Sequence, residues 1–186
     1  MYRLSIIVAS VREKRGGRAV ADWITPIAKR HGQFEVDLVD LKDLNLPMVN
    51  EPNHPRLQQY QYDHTKAWSA MVKGADAFVF VSPEYNHGTP PALVNALDYL
   101  FVEWNYKAVG MVTYGGVSAG TRSFVMTKTI VTSLKMVPLV ESVHLPFYAQ
   151  MMKEGAFEPA ESYEKSAVTM LDELARWTGA LKTLRP

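Results

Sequence analysis

The sequence contains no cysteine, so it can form no disulfide, thiolate nucleophile or cysteine-ligated metal or iron–sulfur site. It also lacks an excess of charge of one sign, and its net charge of +1 argues against nucleic acid or an anionic membrane surface as a partner. The apolar run near the N-terminus, residues 4–9, is too short for a signal peptide core or a membrane span. We therefore expect a cytoplasmic protein that binds neither nucleic acid nor membranes.

Several motifs of nucleotide, metal and hydrolytic chemistry are missing as well. No G-x-G-x-x-G follows a predicted strand and no G-x-x-x-x-G-K-[ST] occurs, which disfavours an ordinary dinucleotide-binding turn and a Walker-type NTPase. The 5 histidines show no metal-ligand spacing, and Ser10 and Ser82 lack a G-x-S-x-G frame. We therefore expect no metal site and name no catalytic side chain. A protein of this kind would position a cofactor that carries the reactivity itself.

The chain of 186 residues is predicted to fold as a single domain, residues 1–186. Runs of β-branched and apolar residues predict five strands, at 3–9, 34–40, 76–82, 108–114 and 138–145. Apolar residues at helical spacing predict helices at about 17–31, 65–73, 91–102, 120–136 and 163–184. This alternation predicts a doubly wound, three-layer α/β sandwich around a five-stranded parallel sheet. In the flavodoxin-like strand order 2-1-3-4-5, ligands bind where the carboxyl ends of the first and third strands meet.

The loop after the first predicted strand, residues 10–18, combines a hydroxyl, three arginines, a lysine and two glycines just before a helix. Backbone N–H groups and the positive end of the helix attract an anion, glycine permits close approach, and arginine side chains grip phosphate oxygens. We predict that a phosphate binds here. A solvated basic turn is the alternative interpretation.

The loop after the third predicted strand, residues 82–91, is the first candidate for the rest of the site. Pro83 fixes the backbone, Gly88 permits a backbone excursion, and Thr89 can cap the next helix. Because the carboxyl ends of the first and third strands meet, we expect this loop to lie beside the basic loop. Glu84 is a candidate base, although a carboxylate at a strand end more often caps a helix. A third, glycine-rich loop at 113–122 is interpreted either as the edge of a planar ring site or as a plain tight turn.

These loops resemble those of the NADPH-dependent FMN reductase family, flavodoxin-like flavoenzymes that include quinone, chromate and azo-dye reductases. The motifs that carry the resemblance are Ser10-x-Arg12-x-x-Arg15-x-Gly17-x-x-Val20, Ser82-Pro83-Glu84-Tyr85-Asn86-His87-Gly88-x-Pro90, Leu93-x-Asn95-Ala96-x-Asp98, and Tyr114-Gly115-Gly116 with Gly120 and Arg122. Their order and spacing match along nearly the whole chain. Ala119 departs from the pattern, because relatives often carry the second glycine of a pair there.

The resemblance implies a set of cofactor-binding residues. The phosphate of FMN would be held by Ser10, Arg12, Arg15, Gly17 and Arg18. The isoalloxazine ring would be bordered by Pro83, Glu84, Tyr85, Asn86 and His87 and, at its other edge, by Tyr114, Gly115 and Gly116. NADPH or NADH would reduce FMN, and a quinone, free flavin or similar small molecule would take the electrons from the same face. Backbone N–H donors near Gly115 and Gly116 would stabilise negative charge on the reduced ring.

The resemblance also implies a homodimer or homotetramer, in which the helices after Pro91 and Gly120 supply the contact between subunits. We further predict that residues 44–63 and 146–158 form walls of the acceptor pocket. Two other functions stay open at this point. One is a flavodoxin-type electron carrier without NAD(P)H oxidation, although such carriers are usually strongly acidic and this chain is not. The other is a flavin-free binding or scaffold protein in which Arg12 and Arg15 are merely exposed.

Overall fold

The computed structural model describes residues 1–185. Its main sheet has five parallel strands, which are β1 (Tyr2–Val8), β2 (Phe34–Asp40), β3 (Ala77–Pro83), β4 (Ala108–Tyr114) and β5 (Val137–Leu145). The order across the sheet is β2-β1-β3-β4-β5. This confirms the predicted flavodoxin-like fold and strand order, and the strand bounds agree with the prediction to within about a residue.

Six α-helices connect or follow the strands: α1 (Gly17–Arg30), α2 (Leu41–Leu44), α3 (Asp63–Gly74), α4 (Pro91–Asp98), α5 (Thr121–Ser133) and α6 (Glu161–Lys182). A short hairpin of β6 (Met152–Lys153) and β7 (Ala156–Phe157) precedes α6. The single turn of α2 was not predicted, because it is fixed by a local cap in which the Asp40 carboxylate accepts a hydrogen bond from the Lys42 N–H at 3.0 Å. The helix predicted at 91–102 ends earlier, and Val102–Trp104 forms a separate 3₁₀ turn.

Helices cover both faces of the sheet. Successive residues of a strand point to opposite faces, so each central strand contributes side chains to both sides. In β3, Val79 and Val81 belong to the apolar cluster formed with α1 and α6. Phe78 and Phe80 belong to the other cluster, which includes side chains of α3, α4 and α5. The central strands are therefore buried on both faces, as their nearly continuous apolar sequences predict.

The carboxyl ends of the parallel strands lie along one edge of the sheet. The pairing with β3 continues one residue beyond the end of β1, since the Ala9 N–H donates to the Val81 carbonyl at 3.0 Å. This brings the start of the basic loop, Ser10, next to the end of β3. Within residues 1–185, none of the helices combines the length and apolarity that crossing a bilayer requires.

Candidate active site

A cavity of about 340 Å³ lies at the carboxyl edge of the sheet, where the loops after β1, β3, β4 and β5 meet. The predicted site residues on its wall are Ser10, Arg12, Arg15, Pro83, Glu84, Tyr85, Tyr114, Gly115 and Gly116. The rest of the wall consists of residues that the sequence did not assign to cofactor binding, which are Lys14, Gly16 and 147–150. The loops after β1 and β3 lie side by side, as expected, and the Ser10 hydroxyl is 2.6 Å from the Tyr85 hydroxyl.

Four predicted residues are not on the wall of this cavity: Gly17, Arg18, Asn86 and His87. Gly17 begins α1, and a Cβ at this position would collide with the hydroxyl of Tyr114. The glycine is therefore needed for the close approach of the helix to Tyr114. The Arg18 guanidinium is drawn away to the carboxylates of Asp22, at 2.9 Å, and Asp40, at 3.7 Å.

Asn86 and His87 form the tip of a tight hairpin turn after β3. Tyr85 and Gly88 exchange backbone hydrogen bonds of 3.1 and 2.9 Å, and the two residues between them have φ values of 49° and 66°. Positive φ at both central positions is the signature of a type I′ turn. The predicted backbone excursion at Gly88 is therefore wrong. Gly88 instead lies against Met126, whose sulfur would be 3.0 Å from a Cβ at this position.

Thr89 does not cap α4, so that prediction is also wrong. The residue before α4 is Pro90, and no side chain caps this helix. The Thr89 hydroxyl instead lies 2.9 Å from the hydroxyl of Thr127 in α5. Glu84 reaches the same helix, since its carboxylate accepts hydrogen bonds from the backbone N–H of Arg122 at 3.0 Å and from its guanidinium at 2.8 Å. The loop after β3 is thus fastened along α5.

Glu84 acts as a capping group rather than a free base. Burial opposes its ionisation, but the hydrogen bonds and the charge of Arg122 outweigh burial and lower the pKa of Glu84 below its ordinary value. The Arg122 N–H belongs to the first turn of α5, whose own preceding residue, Gly120, offers no side-chain cap. A low pKa and an engaged carboxylate leave Glu84 poorly suited to accept a proton.

The N-terminus of α1 is free to receive an anion. The residue before the helix, Gly16, offers no side-chain cap, and the first turn carries no acidic residue. Within residues 1–185, no backbone N–H of Gly17, Arg18 or Ala19 donates to a protein acceptor. Arg12 and Lys14 are exposed on the adjoining loop, and neither has a carboxylate within ion-pair distance among the described residues. The start of α1 therefore combines the positive end of the helix dipole, open N–H groups and two cations that have no ion-pair partner.

Arg15 is held differently from Arg12 and Lys14. One terminal nitrogen pairs with the buried carboxylate of Asp40 at 2.6 Å, so much of its charge is already compensated. Its Nε is buried and has no hydrogen-bond partner within the described part of the chain. An unpartnered buried donor is costly, and a ligand oxygen at this point would satisfy it. The loop therefore fits the phosphate of FMN, which offers several acceptor oxygens to an N–H-rich helix terminus.

Aromatic rings form much of the remaining wall. Tyr114 is almost fully buried and meets the ring of Tyr148 edge to face, with ring centroids 4.8 Å apart. Burial, followed by the neighbouring phenols of Tyr85 and Tyr148, raises the pKa of Tyr114, so this residue stays a neutral phenol. The Arg12 guanidinium lies 5.9 Å from the centroid of the Tyr85 ring. These surfaces suit a flat, partly apolar ligand.

The glycine-rich loop after β4 is a strained turn with internal hydrogen bonds. Ala119 and Gly120 have φ values of 53° and 80°, and the Ala119 N–H donates to the Gly116 carbonyl at 3.1 Å. The N–H of Gly115 donates to the Leu145 carbonyl at 3.2 Å. Gly115 therefore has no free N–H for the predicted stabilisation of the reduced ring. For the N–H of Gly116, that role stays a prediction.

His144 supports this turn from β5. The Thr113 hydroxyl donates its single proton to the Ala119 carbonyl at 2.9 Å, so it must accept a hydrogen bond from Nδ1–H of His144 at 2.7 Å. The other ring nitrogen lies 2.9 Å from the Ser142 hydroxyl. Burial lowers the pKa of His144, which favours the neutral ring with its proton on Nδ1. No sequence signal for this contact exists, because the three residues belong to separate elements.

The two segments predicted to form walls of the acceptor pocket differ. Residues 147–150 line the cavity, whereas no residue of 44–63 does. The latter segment is fastened elsewhere, as shown by the Tyr60 hydroxyl, which donates to the buried carboxylate of Glu103 at 2.9 Å. Its residues 45, 46 and 48 border a separate cavity of about 490 Å³. For 44–63, the predicted wall is not present in the single chain.

The sheet order and the cavity at its switch point define a flavodoxin-like α/β protein. The chain belongs to the NADPH-dependent FMN reductase family, whose sequence model matches residues 2–150. An NAD(P)H-dependent FMN reductase of Schizosaccharomyces pombe is 38% identical over 167 residues, which cover 88% of this chain and 82% of the relative. This assignment confirms the predicted family, its class of oxidoreductase and its cofactors, FMN and NAD(P)H.

Two further comparisons bear on fold and chemistry. A quinone reductase of Pseudomonas putida is 29% identical over 98 residues, which cover 53% of this chain and 49% of the relative. The structure of FerB, an NAD(P)H:(acceptor) oxidoreductase of Paracoccus denitrificans, superposes with a TM-score of 0.78 at 17% identity and covers 97% of this chain and 98% of FerB. At that identity the superposition shows the fold alone.

Proposed function

We propose that the protein binds FMN in the cavity at the carboxyl edge of the sheet and passes electrons from NAD(P)H to a quinone, free flavin or similar small acceptor. The observation that carries this proposal is that the basic loop leading into the uncapped start of α1 lines the same cavity as the loops after β3 and β4. The family assignment supplies the chemistry. The structure supports the assignment of individual residues to the phosphate and to the ring of FMN.

The phosphate would lie against the backbone N–H groups of the loop after β1. Arg12 and Lys14 would supply free positive charge, and Nε of Arg15 would donate while its other end stays paired with Asp40. Ser10 would border this site through its hydroxyl. Two further predicted residues would act indirectly, since Gly17 lets the helix approach Tyr114 and Arg18 reaches Asp40.

The flavin ring would be bordered by Pro83, Glu84 and Tyr85 on one side and by Tyr114, Gly115 and Gly116 on the other. Asn86 and His87, at the exposed tip of the type I′ turn, would meet the ring's rim through their backbone. Bound FMN would supply the hydride-accepting and electron-donating chemistry between NAD(P)H and the acceptor. The protein's residues bind and orient the reactants, because Glu84 is engaged by Arg122 and Tyr114 is held as a neutral phenol.

The quinone reductase among the relatives supports a quinone as acceptor. We also propose that residues 1–186 form one FMN-binding domain, that the protein acts in the cytoplasm, and that it assembles as a homodimer or homotetramer. The exposed apolar side chains Val125 and Met126 on α5 and Val102 after α4 support such an assembly. Light scattering on the purified protein would measure its mass, and a monomer would contradict the homo-oligomer.

Anaerobic mixing of the FMN-loaded protein with NADPH, and separately with NADH, tests the function. We expect the absorbance of oxidised flavin to disappear with at least one nucleotide and to return when a quinone is added. The electron-carrier alternative predicts a spectrum that stays oxidised for minutes with both nucleotides. That result would contradict the proposal.

A further inference from the structure

Phe147 combines two unfavourable features at the edge of the cavity. Its φ of 45° lies in the left-handed region, where a bulky side chain is strained. Its side chain is also 49% exposed, although its sequence neighbour Tyr148 packs on the core. Backbone strain that persists together with an exposed aromatic ring is found where the conformation serves a function.

Three backbone hydrogen bonds impose this conformation. The N–H of Phe147 donates to the Gly116 carbonyl at 3.0 Å, and the N–H of Tyr148 donates to the Gly115 carbonyl at 3.2 Å. The carbonyl of Phe147 accepts from the N–H of Gln150 at 2.8 Å. The turn is therefore fastened to the glycine-rich loop after β4, and the ring of Phe147 is carried at a fixed place on the wall.

Among residues 1–185, the ring of Phe147 packs against no other aromatic ring. In the part of the chain that the structure describes, it belongs to neither apolar core cluster and stands in no aromatic pair. Tyr148 provides the contrast, because its ring meets Tyr114 edge to face. One residue of the turn thus completes the core, and the other offers an apolar face at the cavity.

We propose that Phe147 determines specificity among electron acceptors by stacking on planar aromatic ones such as naphthoquinones. This rests on the function proposed above. NADPH supplies two electrons and one proton, solvent supplies the second proton, and the quinone leaves as the hydroquinone. An aromatic contact of this kind favours a flat, fused-ring acceptor, whereas a compact anion such as ferricyanide gains nothing from it.

The test uses Phe147→Asn, which removes the ring and keeps a residue that tolerates positive φ. Phe147→Tyr retains the ring. Lys135→Asn is the matched control, because Lys135 has a φ of 57° and an exposed side chain at the end of α5 that is not on the cavity wall. Each FMN-loaded variant is assayed with menadione and with ferricyanide at saturating NADPH, and its Tm and mass are measured.

For Phe147→Asn we expect the ratio of kcat/KM for menadione to that for ferricyanide to fall about tenfold, because the stacking contact is lost. Its Tm should rise by about 2 °C, because asparagine is less strained than phenylalanine at positive φ. Phe147→Tyr keeps the ring and should retain most of the wild-type ratio. Lys135→Asn should raise Tm by a similar amount without changing the ratio. A merely structural role predicts a fall in Tm and no change in the ratio.

Three results would overturn this role for Phe147. The first is an unchanged ratio in Phe147→Asn. The second is an equal loss with both acceptors together with slower reduction by NADPH, which would assign the ring to nicotinamide. The third is a change in the mass of the particle, which would assign the ring to a subunit contact. A wild-type protein that NADPH and NADH cannot reduce would instead refute the proposed function itself.

Discussion

The loops after β1 and β3 meet in the same cavity but are built in opposite ways. The loop after β1 leads into open N–H groups at the start of α1 and carries two cations that have no carboxylate partner among the described residues. The loop after β3 is fastened to α5 by Glu84 and Thr89 and closes on itself in a type I′ turn. The first loop is therefore completed by its ligand, whereas the second is a preformed wall. Removing the free cations of the first loop should therefore affect ligand binding most, whereas breaking the contacts of the second should affect stability rather than binding.

The largest expected effect follows from removing the free cations of the first loop. The double variant Arg12→Ala/Lys14→Ala should weaken FMN binding by roughly 100-fold. Each of the two cations would lose a hydrogen bond to the charged phosphate, and each such bond contributes about 1.5 kcal/mol. Riboflavin, which lacks the phosphate, should lose much less affinity. Fluorescence titration with both flavins measures the difference, and Lys29→Ala at the other end of α1 is the control. Equal losses for FMN and riboflavin would place the cations elsewhere than at the phosphate.

A smaller effect is expected where the first loop approaches Tyr114. Gly17→Ala places a Cβ against the buried hydroxyl of Tyr114, and overpacking of this kind costs about 2 kcal/mol. The free energy of unfolding should fall by that amount, and FMN should bind roughly tenfold more weakly. Gly17→Ala/Tyr114→Phe removes the clashing oxygen and should recover most of both losses. If the second substitution recovers nothing, the close approach is not the reason for the glycine.

The glycine-rich loop after β4 should respond in stability. Thr113→Val keeps the shape of the side chain but leaves the Ala119 carbonyl and Nδ1–H of His144 without a partner. We expect a loss of about 1.5 kcal/mol in the free energy of unfolding, because buried groups lose their hydrogen bonds. Thr113→Ser retains the hydroxyl and should lose less. Denaturant unfolding measures both, and equal losses would mean that the methyl group, rather than the hydroxyl, supports the turn.

The smallest effect concerns the wall formed after β3. The pKa of Glu84 is lowered in the folded protein, so its carboxylate contributes stability above its ordinary value of 4.5 and loses that contribution as the pH falls through the folded pKa. Glu84→Gln should cost about 1 kcal/mol at pH 7 and flatten the dependence of stability on pH below 4.5. Unfolding midpoints measured across that range provide the check. Parallel pH profiles for the two proteins would contradict the Glu84–Arg122 pairing.

The fold was predictable because its signals are local. Each strand is a run of β-branched or alternating apolar residues, and α1 and α6 follow a helical spacing that their buried residues reproduce. The order of the strands then brings the basic loop and the loop after β3 together. Most of the residues that the family resemblance assigned to FMN line one cavity because they follow strand ends, and their roles toward FMN stay predictions.

The details that the sequence did not predict depend on contacts between distant elements. Arg15 was assigned to the phosphate, but the structure also pairs it with Asp40, which lies at the end of a different strand. The turn after β3 places positive φ at Asn86 and His87, where glycine is more usual, so the sequence pointed to Gly88 instead. The sequence placed Phe147 in the predicted pocket wall at 146–158, but a phenylalanine gives no indication that its backbone is left-handed.

The difference between the two loops can be measured directly from backbone amide resonances in a titration with FMN and with riboflavin. Our account predicts that amides of residues 11–19 shift with FMN but hardly with riboflavin, because only FMN carries the phosphate. It also predicts that amides of the loop after β3 shift with both flavins. Amides at 11–19 that respond equally to the two flavins, or to neither, would contradict the assignment of the phosphate to the start of α1.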